Sequence, residues 1–191
     1  MIIRITNHIK LAFVALLRVA FSSQYVPQQY RYSTDEKESK LQIYRAFTKR
    51  VFSPPALVVE AEATDAHVEL LGVQENLVVE ENSNIVGGLC YVPVKISIYA
   101  LSTTDRENLT DLVITFVRFL FRKKLQETGI VYSKITTGGE TTEDWMGQIL
   151  YKSTVTVNCT AETSTELPQE FVDFINRFNL TIAIEQLKLE F

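Results

Sequence analysis

Between Val94 and Leu125 the hydrophobic period switches from two to about 3.6 across a few polar residues. Nothing else in the chain constrains its fold as tightly. Val94, Ile96, Ile98 and Ala100 alternate with Lys95, Ser97 and Tyr99, which predicts a strand with one buried face and a second that is wet or covered by a partner. Leu109, Leu112, Val113, Phe116, Val117, Leu120 and Phe121 then make a continuous apolar stripe at helical spacing. Thr104 and Glu107 fit a capping box, and Asp105 places negative charge in the first turn, where the helix dipole favours it. Arg122, Lys123 and Lys124 suit the opposite end, and Gly129 is the expected stop. Ile114 and Phe119 fall off the stripe, so a second surface of this helix is expected to be covered. A strand feeding directly into a helix that packs back on the sheet is the expected centre of the fold.

The rest of the chain elaborates that unit. A first helix is expected over 7–22, with Ile9, Phe13, Leu16, Leu17 and Ala20 on one side. A polar-aromatic arm follows at 24–32. Ser33 and Glu36 fit another capping box, predicting a helix to Val51 that Pro54-Pro55 ends. Strands are expected in ALVVEAEA, HVELL, ENLVVEEN and ILYKSTVTVNCTAE, with an acidic hairpin or projecting loop at 73–88. TTGGETTEDW reads as a loop; Pro168 opens a short helix, and LTIAIEQLKLEF adds one or two strands. The expected fold class is α+β: a twisted, mostly antiparallel (mixed) sheet with a central amphipathic helix packed on it. N-terminal helices with a linker arm (1–52), an α/β core (53–162) and a C-terminal helix–strand extension (163–191) would form one compact domain.

Charge and chemistry narrow the function. With 19 Lys+Arg against 23 Asp+Glu, the net charge of −4 argues against a protein that grips phosphates. It remains compatible with one that surrounds DNA without holding it. The unbroken apolar piece from Leu11 to Leu17 is too short to cross a bilayer. Cys90 and Cys159 read as reduced, buried thiols, with a disulfide between them left open. His8 and His67 read as structural, and no HExxH, CxxC, GxSxG or phosphate-loop motif occurs. The acidic pairs Glu60/Glu62, Glu80/Glu81 and Glu143/Asp144 read as solvated edges and a loop rather than metal ligands. No catalytic set, metal site or cofactor site is expected. What remains is contact chemistry. The acidic Glu75, Glu80 and Glu81 oppose a basic helix end of Arg118, Arg122, Lys123 and Lys124. Trp145 is a loop anchor or contact, and Tyr99 and Tyr151 are candidates for an aromatic contact core.

The order PALVVEA, long hairpin, KISIYALSTTDRENLTDLVITFVRFLF, ILYKSTVTVNCTAE resembles the tail terminator and neck (head–tail joining) proteins of tailed bacteriophages. The residues that carry the resemblance are the V-x-I-x-I-x-A strand at 94–100, the turn with Asp105-Arg106, the helix from Leu109 to Leu125, and the strand from Ile149 to Thr160. The resemblance implies a structural virion protein, not an enzyme, that forms a homo-oligomeric and usually sixfold ring. Such a ring caps the tail tube and joins the head connector while DNA passes through its lumen. It would be assembled in the host cytoplasm with no membrane involved. Asp105 and Arg106 are helix-start residues first and interface candidates second. Other neck components (head-closure or collar), a non-phage α/β interaction module, and an enzyme using the acidic pairs are the competing readings.

Overall fold

The computed structural model describes residues 2–35, 37–46, 53–61 and 85–166, with side chains over 6–35, 37–46, 53–61 and 91–161. Contacts divide the chain into two compact units: Met1–His67 with Cys90–Ala161, and Val68–Leu89 with Glu162–Phe191. The second unit is described only at two strand ends, 85–89 and 162–166. The expected elements HVELL, ENLVVEEN, the Pro168 helix and the final strand run lie outside the described residues, as do Glu75, Glu80 and Glu81.

The first unit is a mixed sheet covered by helices, as the α+β reading expects. The described elements are α1 (Ile2–Phe21), a 3-10 turn (Gln28–Tyr30), β1 (Gln42–Tyr44), β2 (Ala56–Ala61) and β3 (Ile85–Ala100). These are followed by α2 (Thr103–Thr115), a π-helical segment (Phe116–Phe121), α3 (Arg122–Glu127), β4 (Ile130–Thr137), β5 (Thr141–Trp145) and β6 (Gln148–Glu166). The sheet order is β1-β2-β3-β6-β4, with β5 also paired to β6. β1 and β2 run parallel, while β2–β3, β4–β6 and β5–β6 are antiparallel.

Side-chain alternation sorts the sheet into two faces. Leu57 and Val59 of β2, Val94, Ile96 and Ile98 of β3, and Val155 and Val157 of β6 join the main core with Ile9, Phe13, Leu17 and Phe21 of α1. Leu109, Val113, Val117, Phe121 and Leu125 close that core from the second helix. On the opposite face, Ala56, Val58, Tyr99 and Leu150 form a smaller cluster with Tyr44 and Trp145 packed against it. The ALVV run of β2 is continuous because both of its faces are covered. Tyr99 is therefore not a wet-face residue as expected: it is buried by the chain's own Leu150, Val58 and Ala56.

Four further expectations are corrected. α1 starts at Ile2, ahead of the expected Asn7 cap. No helix follows Ser33 among the described residues. Instead the Ser33 hydroxyl accepts from the Asp35 amide, and the Asp35 carboxylate accepts from the Lys37 amide. Those side chains are spent on local turns, which compete with helix initiation. Leu41 and Ile43 are both buried, a strand-like alternation that β1 realises. The cap of α2 lies two residues earlier than expected: Ser102 accepts from the Asp105 amide at 3.1 Å and donates to its carboxylate at 2.7 Å. Finally, the arm at 24–32 is packed down, with Val26 and Tyr30 buried and the Tyr32 amide bonded to the Phe21 carbonyl.

The TTGGETTEDW loop is mostly strand. β4 and β5 run along β6 as one interrupted edge. Three residues, 138–140, face two between the Thr137↔Val155 and Thr141↔Lys152 pairs, which makes a bulge. The hairpin closes on Met146 (φ 52) and Gly147 (φ 77), both left-handed, as a two-residue turn of the right-twisted type requires. Glycine adopts that conformation freely; methionine does not. Replacing Met146 by Asn is therefore expected to stabilise the fold by about 0.5–1 kcal/mol. Gly147→Val is expected to destabilise it by at least about 1 kcal/mol. Thermal unfolding of the two variants against wild type checks both signs.

Candidate interaction surface

Asp105 and Arg106 are committed inside the fold. The Tyr30 hydroxyl donates to one Asp105 oxygen at 2.6 Å, Ser102 donates to the other, and Asn108 donates to the Tyr30 oxygen at 3.1 Å. This network fastens the 24–32 arm to the first turn of α2. The bond from Tyr30, then that from Ser102, holds the Asp105 carboxyl below its ordinary value of 3.8 against a smaller opposing effect of burial. Arg106 is 4% exposed, and its guanidinium reaches Glu140 at 2.8 Å and Glu107 at 3.0 Å. It ties α2 to the bulge between β4 and β5. Trp145 is likewise half-buried against the Tyr99 cluster. Of the acidic pair Glu143/Asp144, Glu143 bonds Lys152 at 3.0 Å and Asp144 accepts from the Gly147 amide at 3.1 Å. Burial alone would lower the Lys152 pKa, but its bonds to Glu143 and Tyr99 outweigh that and leave it raised. The Lys152 ammonium also sits 5.2 Å from the Tyr99 ring centroid. Cys159 is a free thiol, and burial pushes its pKa up to about 12.

The basic helix end stands in the open. Arg118, Arg122, Lys123 and Lys124 are all exposed; Lys124 pairs with Glu127 at 2.8 Å, while the other three carry no ion pair among the described residues. The backbone explains what surrounds them. Leu109, Val113, Val117, Phe121 and Leu125 are buried at strict intervals of four. In an ideal α-helix such a row drifts by about 40° per step and would leave the core within three turns. The wider π segment at Phe116–Phe121 takes the drift back. The Tyr132 hydroxyl lies 3.0 Å from the Val117 carbonyl and 3.2 Å from that of Arg118, serving carbonyls at the irregular turn. One consequence is that Leu120, expected on the buried stripe, is 55% exposed beside Phe119 at 71%. Two large apolar side chains thus sit among three unpaired cations.

A second exposed apolar pair lies on the β5–β6 hairpin: Met146 at 78% and Ile149 at 61%. Ile149 registers with Asp144, so the two share a face next to the turn. The sequence does not reveal this pair, because TTEDW carries no apolar alternation that would mark a strand there. A shallow groove of about 350 Å³, lined by Pro27, Gln29, Tyr30, Asn108, Asp111, Leu112 and Thr115, runs along the joint of the arm and α2. Among the described residues no cluster of three His, Cys, Asp or Glu could hold a metal ion, and no helix is long and apolar enough to cross a membrane.

Tyr30→Phe is expected to cost about 1 kcal/mol at neutral pH. Because the folded Asp105 carboxyl is the stronger acid, the stabilisation it supplies is complete above 3.8 and is lost as pH falls through its lower folded value. The difference between wild type and Tyr30→Phe should therefore shrink below that pH in denaturant titrations. Arg106→Ala should cost about 2 kcal/mol, mainly from a lost buried stem and hydrogen bonds, since both carboxylate partners are solvent-exposed. Urea unfolding measures it.

No protein-family model matches this chain, and no curated protein matches it.

Proposed function

We propose that this chain is a structural, ring-forming protein of the head–tail junction of a tailed phage, capping the tail tube and joining it to the head connector. The observation that carries the reading is the way polar and apolar side chains are distributed around the strand–helix–hairpin unit. Polar residues at the helix start, Asp105 and Arg106, are consumed in holding elements together. Large apolar side chains at both the π segment and the hairpin are left facing solvent. That division suits a rigid body whose work is done by its surfaces. The element order from β3 through α2–α3 to β6 is the order on which the resemblance to terminator and neck proteins rests. Closure into a ring needs two different complementary patches on each copy. DNA would pass the lumen without specific contacts, in keeping with the net charge of −4.

A second reading, an interaction module outside phages, is favoured by one feature: β4 ends the strand order, so its outer edge has no strand neighbour among the described residues. Such an edge accepts an added strand from a peptide.

Light scattering on the eluted full-length chain separates the readings. Assembly into a discrete species of several 21.8 kDa copies, six by the resemblance, is expected for the ring protein. A monomer at every concentration, with or without added tail tube protein, would contradict it and favour the peptide-binding module.

A further inference from the structure

The two exposed apolar pairs are far apart along the helix–strand unit. Thr110 of α2 meets Ser153 of β6 through a 2.6 Å hydroxyl contact. Farther along, Val117 meets Tyr132, whose register partner is Cys159. Helix and strand therefore advance in the same direction, with the π segment farther along than Thr110 and α3 following it. The near end belongs to the hairpin. From Ser153 back to Gln148 is ~17 Å of strand, with the Met146–Gly147 turn beyond it, against ~10 Å of helix from Thr110 back to Thr103. The hairpin thus overhangs the start of α2 by on the order of 10 Å. This places Met146, Ile149 and Asp144 at one pole and Phe119, Leu120, Arg118, Arg122 and Lys123 at the other.

The poles are chemically complementary. At the hairpin Glu140 and Glu143 are paired with Arg106 and Lys152, and Asp144 carries no ion pair among the described residues, while 118–124 carry four cations and no acid. Each pole also presents two large apolar side chains at its tip. Met146 adds an independent sign. It holds a left-handed backbone (φ 52) where Asn or Gly would be locally better, and its side chain gains nothing inside the monomer, being 78% exposed. A residue that costs stability and faces water is accounted for by a contact made outside the monomer.

We propose that the β5–β6 hairpin of one copy docks on the π segment of the next. Met146 and Ile149 would lie on Phe119 and Leu120, and Asp144 would face Arg118 and Arg122. The contact is heterologous, joining unlike poles, and closes a ring where the rotation between successive copies closes. It rests on the assembly reading above and identifies the surface that reading requires. The two patches cannot satisfy each other within one copy, because the length of the helix separates them.

The test is site-directed cross-linking of full-length chains. Met146→Cys and Phe119→Cys proteins are mixed and mildly oxidised, alongside each variant alone and wild type as the control for Cys90 and Cys159. A disulfide-linked dimer should form in the mixture at least about tenfold more than in either variant alone, as a head-to-tail contact requires. Arg118→Glu with Arg122→Glu should raise the concentration for assembly by about tenfold or more. Cross-linking within Met146→Cys alone would show like-to-like pairing and overturn the proposal. An absent cross-link in a chain that light scattering finds assembled would overturn this surface while leaving the ring reading standing. Absence of both would remove the two together. If the double charge reversal abolished binding to short single-stranded DNA and left the assembled mass unchanged, the basic pole would belong to phosphate, and the proposal would fail.

Discussion

The first turn of α2 is the joint from which the rest of the structure hangs. Ser102 and Asp105 close the helix start, and the same carboxylate holds Tyr30, which pins the arm that leads back to α1. One residue on, Arg106 reaches the bulge between β4 and β5, and Thr110 meets Ser153 of β6. Three sequence-distant segments are thereby fixed to the first two turns of the helix. Because those bonds set both the angle and the register of the helix on the sheet, they also determine where its far end emerges. Individually such bonds stabilise by only about 1 kcal/mol each. Their importance is geometric: they keep the hairpin beyond the start of α2 and the π segment farther along the same helix.

The core row of α2 and α3 imposes the second constraint. Five buried residues at intervals of four need a local helix wider than α, and Phe116–Phe121 provides it. Phe13 and Phe121 meet edge to face at 6.3 Å, as do Phe21 and Phe116 at 5.1 Å, so α1 locks the irregular turn from outside. Phe119 and Leu120 are turned to solvent by the same geometry. An apolar, cation-flanked surface is thus produced by core packing rather than added to it.

The sequence made legible what depends on local periodicity. The β3 alternation, the β2 run, the strand through Val155 and Val157, the helix stripe and the Gly129 stop at φ 75 were all readable from spacing. Signals with two uses were not. Ser33 and Asp35 match a helix cap and a pair of tight turns equally well, and Leu41 and Ile43 decide between them only through tertiary burial. The Ser102 cap was overlooked because Thr104 and Glu107 offer the same pattern two residues later. TTEDW has no apolar alternation of its own; it is a strand because β6 pairs with it, and Met-Gly is an uncommon sequence for its turn. The π segment does leave a trace, the run of 109, 113, 117, 121 and 125, but that row is hidden inside a broader stripe. For the candidate contacts, charge placement alone pointed to the basic end. It did not distinguish Arg106, itself buried and spent on Glu140 and Glu107, from Arg118 and Arg122, which are free among the described residues.

The proposed contact joins unlike surfaces of successive copies. Under that proposal the angle between successive copies decides whether the result is a ring or a filament. Electron microscopy of the purified full-length chain reads that angle directly. Closed rings with a central channel and one dominant copy number are the expected result. Isolated monomers, two-fold dimers or open filaments would contradict it.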